Sequence, residues 1–293
     1  MKAAKNKKKG FTIKQRNALA GYIFFSPWII GFFAFTFYPV IYSLILSVNA
    51  VQIKTGGIAM TWKGLTFYHE AVNIDTSFKI ALGDTVMFIA CATPLVLVFS
   101  LIVALLLNGK YPLRTFLRAV FFLPVIIMSG PVISELLNKY TADFTNSDPK
   151  ILLFLYGLPS FIQKPVLYAL SNLVLILWFS GTQILIFLAG LQKIGRDIYE
   201  AAEIDGANSW EKFWKITLPF IKPMAMINAI YTIVEIANFA NNEVNKKISG
   251  HLFEVNRPYS FSAAMSWIYF ITILLILLVV YVIFSYLERR ERA

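Results

Sequence analysis

The sequence predicts an all-α integral membrane protein with six transmembrane helices. Its composition, its long uncharged segments and the placement of its basic residues all favour this class. Of the 293 residues, 58% are hydrophobic and only 15% are charged, and the mean hydropathy is +0.65. Because a soluble globular chain carries roughly 25% charged residues, lipid is the expected surrounding of much of this chain. Helices satisfy their own backbone hydrogen bonds in a bilayer, so the apolar segments are expected to be helical.

Six apolar segments are each long enough to cross a hydrocarbon core of about 30 Å at about 1.5 Å per residue. In order, spans 1 to 6 are Tyr22–Val48, Thr85–Gly109, Leu113–Leu137, Pro165–Gln192, Pro223–Ala240 and Pro258–Leu287. Span 5 is the weakest because Glu235 interrupts it. Asp84, which precedes span 2, is expected to be its N-cap. A further stretch, 151–163, is short and contains Gly157 and Pro159, which is typical of an interfacial, loop or re-entrant segment.

The lysine-rich N-terminus leads into the first apolar segment. A secretory signal peptide would have an apolar core of about 7–15 residues and a small-residue cleavage site. Here no charge occurs over residues 17–53, and bulky aromatic side chains fill the segment. A retained first transmembrane helix is therefore expected.

The distribution of basic residues predicts the orientation. With the N-terminus in the cytoplasm, 18 of the 27 lysines and arginines fall in cytoplasmic segments. This excess is what the positive-inside rule requires. Both termini are therefore expected on the cytoplasmic side, which needs an even number of spans. The predicted parts are a basic segment (1–21), a membrane domain (22–288) and a tail (289–293).

Few features of the sequence indicate other chemistry. Cys91 is the only cysteine, and the two histidines, His69 and His251, lie far apart, which does not favour a metal site. No glycine-rich phosphate-binding loop occurs, so nucleotide binding by this chain is not expected. The net charge of +11 lies in short segments between apolar runs and does not indicate nucleic-acid binding.

The connection between spans 4 and 5 is the most informative segment. Residues 199–205 favour a helix, Gly206 permits a positive-φ stop, and Asn208 or Ser209 can cap a second helix. Two short helices joined by a glycine bend are expected, with prolines 219 and 223 marking the entry to span 5. Periodicity alone is equally compatible with an amphipathic connector lying on the bilayer surface.

This connection resembles the EAA signature of binding-protein-dependent ABC permeases. The matching residues are Glu200–Ala202, Gly206 and Ile216–Pro219. The resemblance covers nearly the whole chain and is closest to the maltose-type sugar branch in its six-helix form. Further matching stretches are 26–32, 38–39, 121–124 and 263–267.

The resemblance implies a type I importer (MetI-like) permease fold and a set of partners. The loop 192–222 would dock on a cytoplasmic ATPase, with ATP and Mg bound there and no cofactor bound by this chain, which is not expected to be an enzyme. Two such ATPase subunits, a second homologous permease subunit and an extracytoplasmic solute-binding protein would complete the complex in a bacterial cytoplasmic membrane. The ATPase-coupling residues would be Glu200, Ala201, Ala202, Asp205, Gly206 and Ala207. The aromatic residues 210–214 are expected to pack against the subunit's own helix ends.

Polar residues inside the spans are candidates for the solute path because buried ionisable groups in a membrane are costly. Tyr231, Glu235 and Asn238 fall on one helical face. By the resemblance, they and two residues of span 4, Phe179 and Ser180, match sugar-contacting positions. An aromatic ring with amide and carboxylate groups suits an oligosaccharide. Asn172, Gln183 and Asn228 are further polar candidates that the sequence does not rank.

The sequence also allows other roles for these residues and other functions for the chain. Glu235 could instead pair with Lys246 or a partner subunit, or lie near the outer interface, and Asn238 could join two helices. A stand-alone secondary transporter or channel would carry paired repeats or several intramembrane charges, which the sequence does not show. An ABC permease for a non-sugar solute, such as a glycerol phosphoester, is the nearest alternative.

Overall fold

The computed structural model describes residues 12–54, 57–109, 116, 157, 159, 170, 172–239, 241–254 and 259–292. Two compact units divide the chain. The first combines residues 1–70 with 251–267, and the second combines residues 71–250 with 268–293.

The second unit is built on three long helices. They are α4 (Thr76–Asn108), α5 (Leu173–Leu191) and α8 (Leu218–Asn238), and each packs against the other two. Between α5 and α8 lie the short helices α6 (Arg196–Ile204) and α7 (Ser209–Lys212). After α8, the short helix α9 (Glu243–Gly250) packs on α4. The apolar core of this unit joins the ends of α4 and α5 to the start of α8.

The first unit begins with a long helical run whose side chains are almost all exposed. Helices α1 (Ile13–Phe32) and α2 (Tyr38–Val48) are joined by a π-helical turn, Phe33–Phe37. An antiparallel hairpin of β1 (Asn49–Lys54) and β2 (Gly57–Trp62) follows, and then the short helix α3 (Thr66–His69). Helix α10 (Ser260–Arg292) starts in this unit, where the Ser260 hydroxyl accepts a hydrogen bond from the Val51 amide at 2.9 Å.

Five helical runs among the described residues are long and apolar enough to cross a membrane. They are Ile13–Val48, Thr76–Asn108, Leu173–Leu191, Ser209–Gly250 and Ser260–Leu287. These runs correspond to predicted spans 1, 2, 4, 5 and 6. Span 3 and the 151–163 segment lie outside the described residues, apart from isolated positions.

The predicted N-cap of span 2 is wrong. Helix α4 begins at Thr76, so Asp84 lies inside the helix with an exposed side chain. The N-cap is Asp75, whose carboxylate accepts the Phe78 amide at 3.0 Å and the Ser77 hydroxyl at 2.7 Å. The helix begins nine residues before the uncharged segment, and exposed polar side chains in its first turns lower the hydropathy there.

Pro219 marks the entry to span 5 as predicted, but the preceding helix does not end there. Helix α7 continues through a π-helical turn, Phe213–Thr217, directly into α8, with Pro219 in the first turn of α8. In the wider turn the Leu218 amide donates to the Phe213 carbonyl. A π-turn shifts the hydrogen-bond register of the helix. Proline has no amide hydrogen to donate to the preceding turn, so it is tolerated directly after the point where the register changes. The same arrangement precedes Pro39 at the start of α2.

Three described elements, the β1–β2 hairpin and the short helices α3 and α9, were not expected from the sequence. The hairpin pairs Asn49 with Trp62 and Lys54 with Gly57. Alternating apolar residues around the glycines at 56 and 57 are the signal that was available for it. Helix α9 is short and polar, and apolar periodicity carries little information in such a segment.

Candidate functional site

The bend between α6 and α7 is a Schellman motif. The Ala207 amide donates to the Ala202 carbonyl at 2.9 Å, and the Gly206 amide donates to the Glu203 carbonyl at 3.1 Å. Gly206 has a φ of 81°, the left-handed conformation that this cap requires. The predicted positive-φ stop at Gly206 is therefore confirmed.

Reciprocal hydrogen bonds start α7. The Glu211 amide donates to the Asn208 side chain at 2.9 Å, and the Asn208 amide donates to the Glu211 carboxylate at 3.0 Å. Such a capping box satisfies two of the amides that a helix start leaves free. Of the two predicted capping residues, Asn208 is the one used.

Two polar contacts join α6 to the helix that follows. The Lys212 ammonium lies 2.7 Å from the Glu203 carboxylate, and only 16% of the Lys212 side chain is exposed. The Tyr199 hydroxyl lies 2.8 Å from the hydroxyl of Thr217, which is buried in the π-turn. These contacts hold α6 and α7 as one unit, here called the α6–α7 hairpin (196–212).

The base of the hairpin is part of the apolar core of the second unit. Tyr199 and Ile216 pack on a buried cluster that includes Leu191 and Ile221. The residues of this cluster come from α4, α5, the α5–α6 turn and α8. A force applied to the hairpin therefore reaches the three long helices through direct packing.

The tip of the hairpin is exposed. Among the predicted coupling residues, Glu200, Ala201, Asp205 and Gly206 are exposed, and Ala202 and Ala207 are half-buried beneath the bend. Ile204, which the sequence analysis did not select, is 87% exposed beside them. A lone isoleucine between acidic residues was the available signal.

The expectation that the aromatic residues pack against the subunit's own helix ends is wrong for the two tryptophans. Trp210 and Trp214 remain 69% and 48% exposed, and their rings meet edge-to-face at 5.5 Å. The ring of the half-buried Phe213 contacts both indoles, with centroids 6.5 Å from Trp210 and 5.4 Å from Trp214. The two indoles pack on each other because they lie four residues apart on the continuous helix formed by α7 and the π-helical turn.

Tyr231, Glu235 and Asn238 lie near the end of α8 that is remote from the hairpin. Tyr231 is 42% exposed, Glu235 is half-buried and Asn238 is exposed. The side-chain amide of Asn238 donates to the Val234 carbonyl of its own helix at 2.9 Å. Lys246, considered as a partner for Glu235, pairs with Glu243 at 2.8 Å. Glu235 instead accepts a hydrogen bond from Gln183 at 3.0 Å.

Phe179 and Ser180 do not join this surface. Both are fully buried in α5, where the Phe179 ring packs on the rings of Phe239 and Phe88, with centroids 5.4 Å and 6.5 Å away. The Ser180 hydroxyl donates to the Ile176 carbonyl. In this conformation neither side chain presents surface to a solute, whereas the residues of α8 do.

A protein-family model described as "Binding-protein-dependent transport system inner membrane component" matches residues 81–241. The match spans more than half of the chain. The protein belongs to this family of permeases. The matched region runs from α4 to the end of α8, so it contains both the α6–α7 hairpin and Glu235.

Individual relatives agree with this assignment. The permease is 32% identical to "Probable ABC transporter permease protein YesP" of Bacillus subtilis (strain 168), over 95% of its own length and 94% of the relative. It is 26% identical to "Lactose transport system permease protein LacF" of Rhizobium radiobacter, over 96% and 97% of the two chains. Among solved structures, a chain of a bacterial ABC transporter "involved in the import of the acidic polysaccharide alginate" superposes with a TM-score of 0.62. That match covers 94% of the permease and 96% of the alginate chain at 19% identity, so it supports the fold alone.

Proposed function

We propose that this permease forms half of the membrane pathway of an ATP-driven oligosaccharide importer and couples to a separate ATPase through the α6–α7 hairpin. The observation that carries the proposal is the hairpin itself, whose tip is exposed and whose base is built into the core. The complex would contain a second homologous permease, two cytoplasmic ATPase subunits and an extracytoplasmic solute-binding protein. It would lie in a bacterial cytoplasmic membrane with both termini of this chain in the cytoplasm.

The hairpin has the properties that a mechanical connection needs. Its bend is fixed by backbone hydrogen bonds, its two arms are joined by the Lys212–Glu203 ion pair, and its base packs on the long helices. Glu200 and Asp205 would make polar contacts with the ATPase. Ile204 would supply an apolar contact, because an exposed large apolar side chain at such a tip favours a protein interface. Closure of the ATPase pair would then move the hairpin and α5 and α8 together.

The surface of α8 supports a carbohydrate solute. Tyr231 offers an aromatic face, and Glu235 and Asn238 offer hydrogen-bonding groups to hydroxyls on the same side of the helix. One relative transports lactose by its printed name. An anionic solute such as a glycerol phosphoester is disfavoured because a carboxylate repels a like charge in surroundings of low dielectric constant. Phe179 and Ser180 would contribute only if α5 moved relative to its neighbours.

Uptake by the reconstituted complex tests this function. Proteoliposomes holding the permease pair, the ATPase and the binding protein would be offered lactose, maltotriose, an alginate trisaccharide and glycerol 3-phosphate. Uptake of a neutral sugar that requires ATP and all components is expected. A preference for glycerol 3-phosphate would contradict the carbohydrate assignment. Transport by this polypeptide alone would favour a stand-alone transporter.

The role of Glu235 is tested by Glu235→Gln. The change keeps the shape of the side chain and removes its charge, so uptake of the preferred sugar is expected to fall about tenfold, the effect of weakening one charge-assisted hydrogen bond. The matched control is Glu243→Gln, which removes an exposed carboxylate on α9 and should leave uptake unchanged. Wild-type kinetics in the Glu235 variant for every solute would remove Glu235 from the path.

A further inference from the structure

Gln183 lies fully buried in α5 and directs the nitrogen of its side-chain amide at α8. The amide nitrogen donates to the Thr232 hydroxyl at 3.0 Å and to the Glu235 carboxylate at 3.0 Å. A side-chain amide has two N–H groups, so both are committed to one face of the neighbouring helix. The side-chain oxygen of Gln183 is buried without a hydrogen-bond partner among the described residues.

The neighbouring residues determine which way this amide points. The Thr232 hydroxyl donates its proton to the Asn228 carbonyl at 2.8 Å, so toward Gln183 it can only accept. A Glu235 carboxylate likewise only accepts. Both partners therefore require the nitrogen of Gln183, and a flipped amide would set its oxygen against two acceptors. The side-chain amide of Asn228 donates to the backbone carbonyl of Gln183 at 3.1 Å, which adds a second link between the two helices.

Glu235 depends on Gln183 for its position. Among the described residues, only Gln183 forms a hydrogen bond with the Glu235 side chain. A free glutamate side chain samples several rotamers, and restraining it lowers that freedom before a ligand arrives. Because Glu235 is half-buried and Gln183 is fully buried, the bond anchors the carboxylate from the protein side. The second oxygen of the carboxylate stays available to a solute.

We infer that Gln183 is a positioning residue that holds the Glu235 carboxylate at the solute-facing surface of α8 and thereby sets the affinity for sugar hydroxyls. This inference rests on the proposed function, in which Glu235 contacts the solute. Gln183 itself does not touch the solute, because no part of its side chain reaches the surface.

Three variants test the inference in the full reconstituted complex. The solute is lactose or maltotriose, whichever the unaltered complex transports faster. Gln183→Leu removes both donors at similar volume and is expected to raise the apparent KM for that sugar about tenfold. Glu235→Gln should raise it to a similar extent. Combining Gln183→Leu with Glu235→Gln should add little to either single change, since both act through one carboxylate.

The exchange Gln183→Glu with Glu235→Gln separates positioning from packing. In it, the amide at position 235 donates to the carboxylate at position 183, so the amount of assembled complex should recover in part relative to Gln183→Glu alone, whereas the bond that Thr232 accepts from position 183 stays lost. The apparent KM should stay high because the carboxylate has moved from the surface into the interior. The matched control is Ser100→Ala, which removes another buried interhelical hydrogen bond, from Ser100 to the Ser180 carbonyl, and should leave KM unchanged.

The outcomes distinguish the positioning role of Gln183 from the proposed contact of Glu235 with the sugar. An unchanged KM in Gln183→Leu together with a raised KM in Glu235→Gln would overturn the positioning role alone. An exchange variant with normal KM would also overturn it, since the site of the charge would then be irrelevant. An unchanged KM in Glu235→Gln, or no uptake of either sugar, would overturn the proposed sugar contact together with this inference.

Discussion

At residue 206 the requirement for glycine comes from the backbone and not from space. A side chain added at Gly206 would meet no atom within 4 Å, yet its φ of 81° lies in a region that residues with a Cβ rarely adopt. The left-handed conformation costs a non-glycine residue about 1–2 kcal/mol, and asparagine tolerates it better than most. The tip is also exposed, so a substitution changes few contacts within the chain.

Two substitutions at this residue should therefore differ in their effect on transport. Gly206→Asn is expected to keep the bend and most of the transport activity, whereas Gly206→Val should distort the bend and strongly reduce ATP-dependent uptake. The amount of inserted complex should be similar for both, because the core is untouched. Uptake and ATPase activity measured on equal amounts of complex check this. Equal activity of the two variants would show that the left-handed bend is dispensable.

At the scale of elements, the crossing of α5 and α8 depends on a small residue. A Cβ at Gly190 would lie 2.8 Å from Cγ of Met224 and 3.7 Å from its Cβ. Small residues allow helices to approach closely in membranes. This close approach lies beside the hairpin base, since Met224 packs on the same apolar cluster as Tyr199.

Gly190→Val is expected to force α5 and α8 apart and to destabilise the complex by about 1–3 kcal/mol, the usual cost of overpacking. Thermal stability of the purified complex in detergent measures the effect. Adding Met224→Ala should restore much of the loss, because it removes the side chain that the new group would meet. Met224→Ala alone is the control. Failure of the second change to restore stability would place the strain elsewhere.

The elements also show where sequence reasoning succeeds. The bend at Gly206 and the cap at Asn208 were predictable because both depend on local backbone chemistry. The start of α4 was not, since Asp75 and Asp84 are equally good caps and only the fold determines which one lies at the helix end. The continuous helix through Pro219 was also missed, because a π-turn has no strong sequence signal.

At the scale of the whole molecule, apolar segment length predicted all five membrane-length helical runs among the described residues, because each can satisfy its own backbone hydrogen bonds. The burial of individual side chains was predicted less well from the sequence. Spacing could place Tyr231, Glu235 and Asn238 on one face, but the burial of Phe179 depends on Phe88 and Phe239, from two other segments. The hydrogen bond from Gln183 to Glu235 likewise joins residues 52 positions apart, a distance at which sequence periodicity carries no information.

Coupling through the α6–α7 hairpin requires that its tip bind the ATPase subunit. The most direct measurement is photo-crosslinking from a single cysteine carrying a benzophenone maleimide, with Asp205→Cys in a Cys91→Ala background and Glu243→Cys as the control at the other end of the span. In a complex that transports sugar, Asp205→Cys is expected to crosslink to the ATPase subunit and Glu243→Cys is not. An actively transporting complex in which Glu243→Cys but not Asp205→Cys crosslinks to the ATPase would contradict coupling through the α6–α7 hairpin.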